Sequence, residues 1–294
     1  MRFVVPLVFM AGTALAQLQG IVDIHLHGDP DSVARKLDVL DEARVARDEG
    51  MRAIVLKNHY APTYPLAYVV NRAIPGIESY GGVVLNRAVG GINLAAVEQA
   101  AQFKGGYARI VWMPTFDSEN QVRNSKQNRP FVSVSRDGQL LPEVLAVLRY
   151  MGKHNLALAT GHSTPAEDLM LVQAAKDAGI TQIVVTHPTA SPVMMSLPQM
   201  QEAAKLGAYL EFCGVSVLPG PAQNNHANLE AYVKNIRALS ADHCILSSDL
   251  GQPNNPIPTV GWKIYLELLQ KAGITPAEID TMARRNPAHL LGLH

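Results

Sequence analysis

The chain is 294 residues long, 48% hydrophobic and 17% charged, with 25 basic and 25 acidic residues that cancel. That length can bury a substantial core and suits either two domains or one (β/α) barrel. The balanced charge, with no basic block, gives no footprint for nucleic acid or an anionic membrane surface, and two cysteines, Cys213 and Cys244, are too few for a disulfide framework; one bridge or two free thiols both stay open.

The N-terminus carries the one targeting signal. Arg2 precedes the apolar run Phe3 to Ala16, and Ala14-Leu15-Ala16 fits the small-x-small pattern of a signal peptidase site. Residues 1–16 are therefore expected to be a signal peptide and 17–294 the folded domain of an exported protein. The alternative is a buried first helix in a cytoplasmic one.

Ile21-Val22-Asp23-Ile24 reads as the first strand and runs into His25-Leu26-His27. Side chains two apart on a strand share a face, so the two imidazoles project together, which suits a divalent cation. After the loop Gly28-Asp29-Pro30-Asp31, a helix is expected from near Asp38, with Val39, Leu40, Ala43 and Ala46 at helical spacing and Gly50 as its cap. Arg52 to Lys57 is the second strand. The same order of helix, glycine, short apolar strand and polar loop then repeats through Val83–Asn86, Ala108–Met113, the strand before Thr160, Gln182–His187, Ala208–Phe212 and His243–Asp249. Eight apolar strands alternating with helices predict a parallel sheet buried on both faces and closed as a single (β/α)8 TIM barrel. Thr164-Pro165-Ala166-Glu167 and Thr275-Pro276-Ala277-Glu278 mark two helix starts with capping boxes. Two connections exceed what the unit needs, Thr115 to Gln139 and Gly214 to Asn225, and both are candidate lids or substrate walls.

Strand ends of a barrel converge on one rim. Strand one brings His25 and His27, strand two Lys57 and then His59, strand five His162, strand six His187 and strand eight Asp249. His25, His27, His162 and His187, four histidines, and Asp249 at the strand ends of one barrel are hard to explain as packed side chains. His154, His226, His243, His289 and His294 fall in helices, loops or strand starts and read as structural or surface residues.

His-x-His on strand one, a histidine after strands five and six and an aspartate after strand eight resemble the amidohydrolase superfamily of metal-dependent (β/α)8 hydrolases. The resemblance runs from about Ile21 to Leu293 and includes the closing Asn286-Pro287-Ala288; it is nearest to a branch with a Leu-Lys-x-His-Tyr segment, here Leu56-Lys57-Asn58-His59-Tyr60. It implies a divalent metal, Zn2+ first, as one or two ions held by His25, His27, His162, His187 and Asp249, with Asp249 also taking the proton of the attacking water. The chain departs from the binuclear pattern at strand four, whose end Val111-Trp112-Met113-Pro114-Thr115 offers no bridging lysine or glutamate. Lys57 is a substitute if it is carbamylated; otherwise it is an ammonium that anchors an anionic substrate.

The expected reaction is hydrolysis of an amide, lactone or ester of a small molecule by metal-activated water. His59 is assigned to the developing oxyanion or to the substrate, and Asn86, Thr115 and Gln252 are candidate substrate contacts or scaffolding. Decarboxylation on the same site is the enzymatic alternative, and a non-catalytic metal- or ligand-binding barrel the other. No nucleic acid or membrane partner is expected for the mature form, and homo-oligomerisation is left open.

Overall fold

A computed structural model describes residues 18–218 and 229–293. The expected signal peptide and the tip of the loop after the seventh strand lie outside the described residues. Eight parallel strands follow one another around the barrel: β1 (Val22–Leu26), β2 (Ala53–Leu56), β3 (Glu78–Val84), β4 (Ala108–Trp112), β5 (Ala157–Ala159), β6 (Ile183–Val185), β7 (Tyr209–Cys213) and β8 (Cys244–Ser247). Backbone bonds from Asp249 N–H to His25 O and from His27 N–H to Leu250 O, both 2.8 Å, stitch the last strand to the first. The molecule is a single (β/α)8 barrel, as the repeating strand–helix order predicts.

Two apolar clusters hold it together. One lies between strands and helices and takes alternate strand residues such as Leu56, Val111, Leu158, Leu210 and Leu246. The other fills the barrel with Val22, Ile24, Val55, Ile110, Trp112, Ala159 and Ile245, and is plugged from below by Ala288 and Leu290 of the last helix, Asn286–Leu290, and by Leu291 at its cap. Asn286 docks that helix by donating to the carbonyls of Ala241 and Cys244 at 2.8 and 2.7 Å. With the bottom sealed by apolar side chains, the polar strand ends face solvent only at the top.

The helix starts obey local chemistry. Thr164 and Thr275 make the expected capping boxes with Glu167 and Glu278, and Ser196 with Gln199 makes a third. The long connection after β4 is not a bare loop: it holds a short helix, Glu119–Asn124, and a two-stranded hairpin of Ser135–Arg136 with Gln139–Leu140. Asp137 and Gly138 both have positive φ, the geometry of a tight hairpin turn. Cys213 and Cys244 are buried and unbridged.

Candidate metal centre

The site begins with an irregularity in β1. Val22 and Asp23 pair with Ala53 and Ile54, but Leu26 pairs with Leu56, so β1 carries one extra residue between Asp23 and Leu26. Simple alternation would put His25 on the face of Asp23, away from the interior that Val22 and Ile24 fill. The bulge shifts the parity, so that Leu26 packs outward while His25 and His27 join the top of the interior. Asp23 fixes this bend. Its carboxylate accepts the backbone N–H of His25 (3.1 Å), that of Ser248 (3.0 Å) and the Trp262 indole N–H (2.8 Å).

His25 Nε2 and His27 Nε2 meet the same oxygen, Asp249 Oδ1, at 3.1 and 3.0 Å. These three residues form a cluster whose donor atoms could share one ion. Glu211, on β7, stands behind them: Oε1 meets His25 Nδ1 at 3.0 Å and the Ser247 hydroxyl at 2.8 Å, and Oε2 accepts the His187 backbone N–H at 3.3 Å. A carboxylate on Nδ1 leaves Nε2 directed at the metal position, the usual support of a ligating histidine. Lys57 Nζ is 2.8 Å from His25 Nε2, fully buried above the face of Trp112.

On the opposite wall His162 and His187 turn their Nε2 atoms to each other at 3.1 Å. Gly161 makes the turn into His162 with φ +70°, and a Cβ there would sit 2.4 Å from the Met113 carbonyl oxygen, so no other residue fits. His187 and Asp249 themselves have φ of 26° and 50°, conformations that side chains other than glycine rarely take and that cluster at functional sites.

The electrostatics of these groups favour a cation among them. Burial drives down the basicity of His25, but the carboxylates of Asp249 and Glu211 outweigh it and raise its pKa to about 9. Burial lowers His27 to about 3 and holds His162 and His187 below the ordinary range as well. One proton on His25 thus offsets only one of the two carboxylates, and a divalent cation and a proton are alternatives at such a position. Two carboxylates, an activated His25 and two neutral imidazoles facing each other fit a divalent metal. Lys57 is lowered too, because burial exceeds the pull of Asp249 and Glu211, which favours the neutral amine.

His59 lies across the opening, its ring stacked on Phe116 at 3.6 Å between centroids. Its Nδ1 meets Thr115 Oγ1 at 2.9 Å, and that oxygen already accepts from Asn86 Nδ2 at 2.8 Å. The hydroxyl proton of Thr115 is then free to go to His59 Nδ1, leaving the other ring nitrogen as the N–H. Asn86 and Thr115 are fully buried behind His59, and Gln252 lines the opening while donating to the Asp249 carbonyl at 2.7 Å. Above the centre is a cavity of about 420 Å³ whose wall includes His27, Arg35, Phe116, Gln121, Val215 and Asp249. Among the described histidines outside this group, His154, His243 and His289 are exposed.

Glu211, Asp23, Arg35 and Phe116 belong to the site and escape a reading of the sequence. Glu211 and Asp23 left a trace, each as the one charged residue inside an apolar run, Leu210 to Cys213 and Ile21 to Ile24.

A family model described as a family of unknown function, DUF6282, matches residues 20–211. No curated protein matches the chain in sequence. Solved structures do. The organophosphorus hydrolase of Deinococcus radiodurans is 18% identical over 95% of this chain and 94% of its own, with a TM-score of 0.60. An organophosphate hydrolase engineered from a weak promiscuous lactonase gives 18% identity, 95% and 97% coverage and the same TM-score. A candidate 2-pyrone-4,6-dicarboxylic acid hydrolase of Pseudomonas putida gives 17%, 93% and 97%, and 0.57. At these identities the likeness establishes the fold alone, a closed (β/α)8 barrel.

Proposed function

Since the chain belongs to DUF6282, a family of unknown function, its activity has to be read from its site, and we propose that it is a metal-dependent hydrolase of a small-molecule ester or lactone. The observation that carries the reading is the meeting of His25 Nε2 and His27 Nε2 on one oxygen of Asp249, opposite the facing Nε2 atoms of His162 and His187. The hydrolases and the lactonase template that share this fold support the bond type.

His25, His27 and Asp249 would hold the ion, with His162 and His187 on the far wall. When bound, it supplies a Lewis acid that brings the pKa of water towards neutrality and polarises a carbonyl. Zn2+ is the natural first candidate for a site rich in imidazole. Asp249 takes the proton of the attacking water and returns it to the leaving oxygen. Its carboxyl is held far below the ordinary range against the penalty of burial, by His25 and then His27, so it is ionised and ready as a base. His59 donates the hydrogen bond that the Thr115 contact leaves on its outer nitrogen, and Phe116 keeps the ring in place. Lys57, beside His25 and with its basicity lowered by burial, is placed to add to carbon dioxide; the N–C bond would form, a proton would leave to water and a carbamate oxygen would serve as a further anionic ligand.

The test is metal content beside a panel of lactones, esters and amides. The wild-type chain should carry one or two divalent ions and turn over at least one lactone or ester. Asp249→Asn should keep most of the metal and lose about two to four orders of magnitude in turnover, the range of general acid–base catalysis. Near-normal turnover in that variant would overturn the reading. A native mass heavier than the denatured one by a labile carbon dioxide, abolished in Lys57→Ala, checks the carbamate.

A further inference from the structure

Arg35 sits on the loop between β1 and the helix Val39–Asp48, 9% exposed, on the wall of the cavity over the metal centre. Its Nε and Nη2 both donate to Asp31 Oδ2, at 2.8 and 2.6 Å, and the Asp31 side chain is completely shielded. Asp31 therefore grips one edge of the guanidinium. Nη1 takes no protein partner among the described residues, and it is not sealed off as a buried orphan.

The loop is not free to swing this group away. Asp29 N–H bonds Leu37 O at 2.9 Å, Val39 N–H bonds Asp29 O at 2.8 Å and Lys36 N–H bonds Gly251 O at 2.7 Å, which ties the loop to itself and to the β8 side of the rim. A guanidinium is thus held in place on the wall of the cavity over the proposed metal centre. Asp31 meets one edge of the guanidinium only, so Nη1 is left for a negative group that arrives with the substrate. The cavity wall otherwise holds one carboxylate, Asp249, which the metal centre uses, and neutral or apolar residues such as Gln121, Ser216, Val33 and Phe116.

We infer that Arg35 is a specificity residue that receives a carboxylate on the substrate, distinct from the bond that is cleaved, so that the enzyme acts on anionic esters or lactones. A single free guanidinium nitrogen, with its other edge neutralised by Asp31, matches a monoanion better than a phosphate dianion, which draws several donors. The inference rests on the hydrolase reading above and adds the substrate class to it.

The experiment is equilibrium binding of succinate, glutarate and adipate, each against the monoacid of the same chain (propionate, butyrate, pentanoate), with metal content assayed in every sample. In the wild type at least one diacid should bind at least tenfold tighter than its monoacid. Arg35→Leu should reduce that preference to within about twofold with metal content unchanged. Asp31→Asn, which keeps the shape of the pair and removes its negative charge, should strengthen diacid binding, the direction opposite to mere loosening of the loop. No diacid preference in a metal-loaded wild type, or a preference that survives in Arg35→Leu, overturns the assignment and leaves the hydrolase reading standing. Weaker diacid binding in both variants shows a purely structural pair and also overturns it. A wild-type chain that takes up no ion overturns both. 3-Phosphonopropionate binding with a larger Arg35-dependent advantage than succinate would replace the carboxylate by a phosphate-type group.

Discussion

On the β8–β1 side of the candidate metal centre two of the three proposed ligands are braced from behind, while His27 Nδ1 is buried with no partner among the described residues: Asp23 pins the bulge, Glu211 holds His25, and the seam between last and first strands runs through Asp249 and His25 themselves. On the β5–β6 side the bracing is thin. His162 Nδ1 leans on Gln121 Oε1 at 2.9 Å, a residue of the short helix in the β4 connection, and His187 Nδ1 is buried with no partner among the described residues. Asn120 of the same helix gathers the carbonyls of His162, Ser163 and Pro192. One half of the site is thus built into the barrel, and the other is held by a connection laid over it. The difference teaches where affinity and where access are set: the braced half should fix the ion, and the lightly held half should respond to what lies above it.

The hardest blow to that comparison is the double change His25→Ala/His27→Ala, which should remove at least one ion per chain by elemental analysis. If metal content stayed the same, the braced half would not be the site. Glu211→Gln keeps the shape but not the charge behind His25, and metal affinity by competition with a chelator should fall about 10- to 100-fold, as for other outer supports of ligating histidines. Gln121→Ala removes the one side-chain support of His162 and should cost less than about tenfold by the same assay; a loss equal to that of Glu211→Gln would erase the distinction between the halves.

The smallest effect lies behind β1, in the electrostatics rather than the ligands. Burial, helped by Asp23, Asp38 and Asp41, raises the Glu42 carboxyl to about 8. Between its ordinary pKa of 4.5 and that value the folded chain keeps a proton that the unfolded chain has released, so stability falls as pH rises through this window. Glu42→Gln should flatten that fall and gain on the order of 1–3 kcal/mol at pH 8, with little change at pH 4. Chemical denaturation at the two pH values measures it, and an equal gain at both would refute the titration.

The repeating glycine-terminated units made the barrel legible, and the ligand types at their strand ends made the rim legible, because a closed parallel barrel leaves little choice about where strand ends go. The supports were not legible. Glu211 and Asp23 look like single polar interruptions in apolar runs, and only the barrel's closure brings Glu211 to His25, 186 residues away. Phe116 and Gln121 lie in a polar stretch without periodicity, so nothing local says that one will stack on His59 and the other reach His162. Arg129, twelve residues after Asp117, fixes the start of that stretch by bonding Asp117 and the Phe116 carbonyl, another long-range match between unremarkable residues.

The extra residue in β1 turns the metal centre into a matter of counting. Because strand faces alternate, the two histidines of a strand of this length look inward only while the bulge stays in place. Smoothing it into a regular strand of the same length would leave the composition intact while rotating both histidines out of the barrel, whereas deleting the extra residue together with the bulge would keep them inward. The path of the backbone between Asp23 and Leu26, and the hydrogen bonds of Asp23 that hold it, thus decide the site together with the histidines themselves.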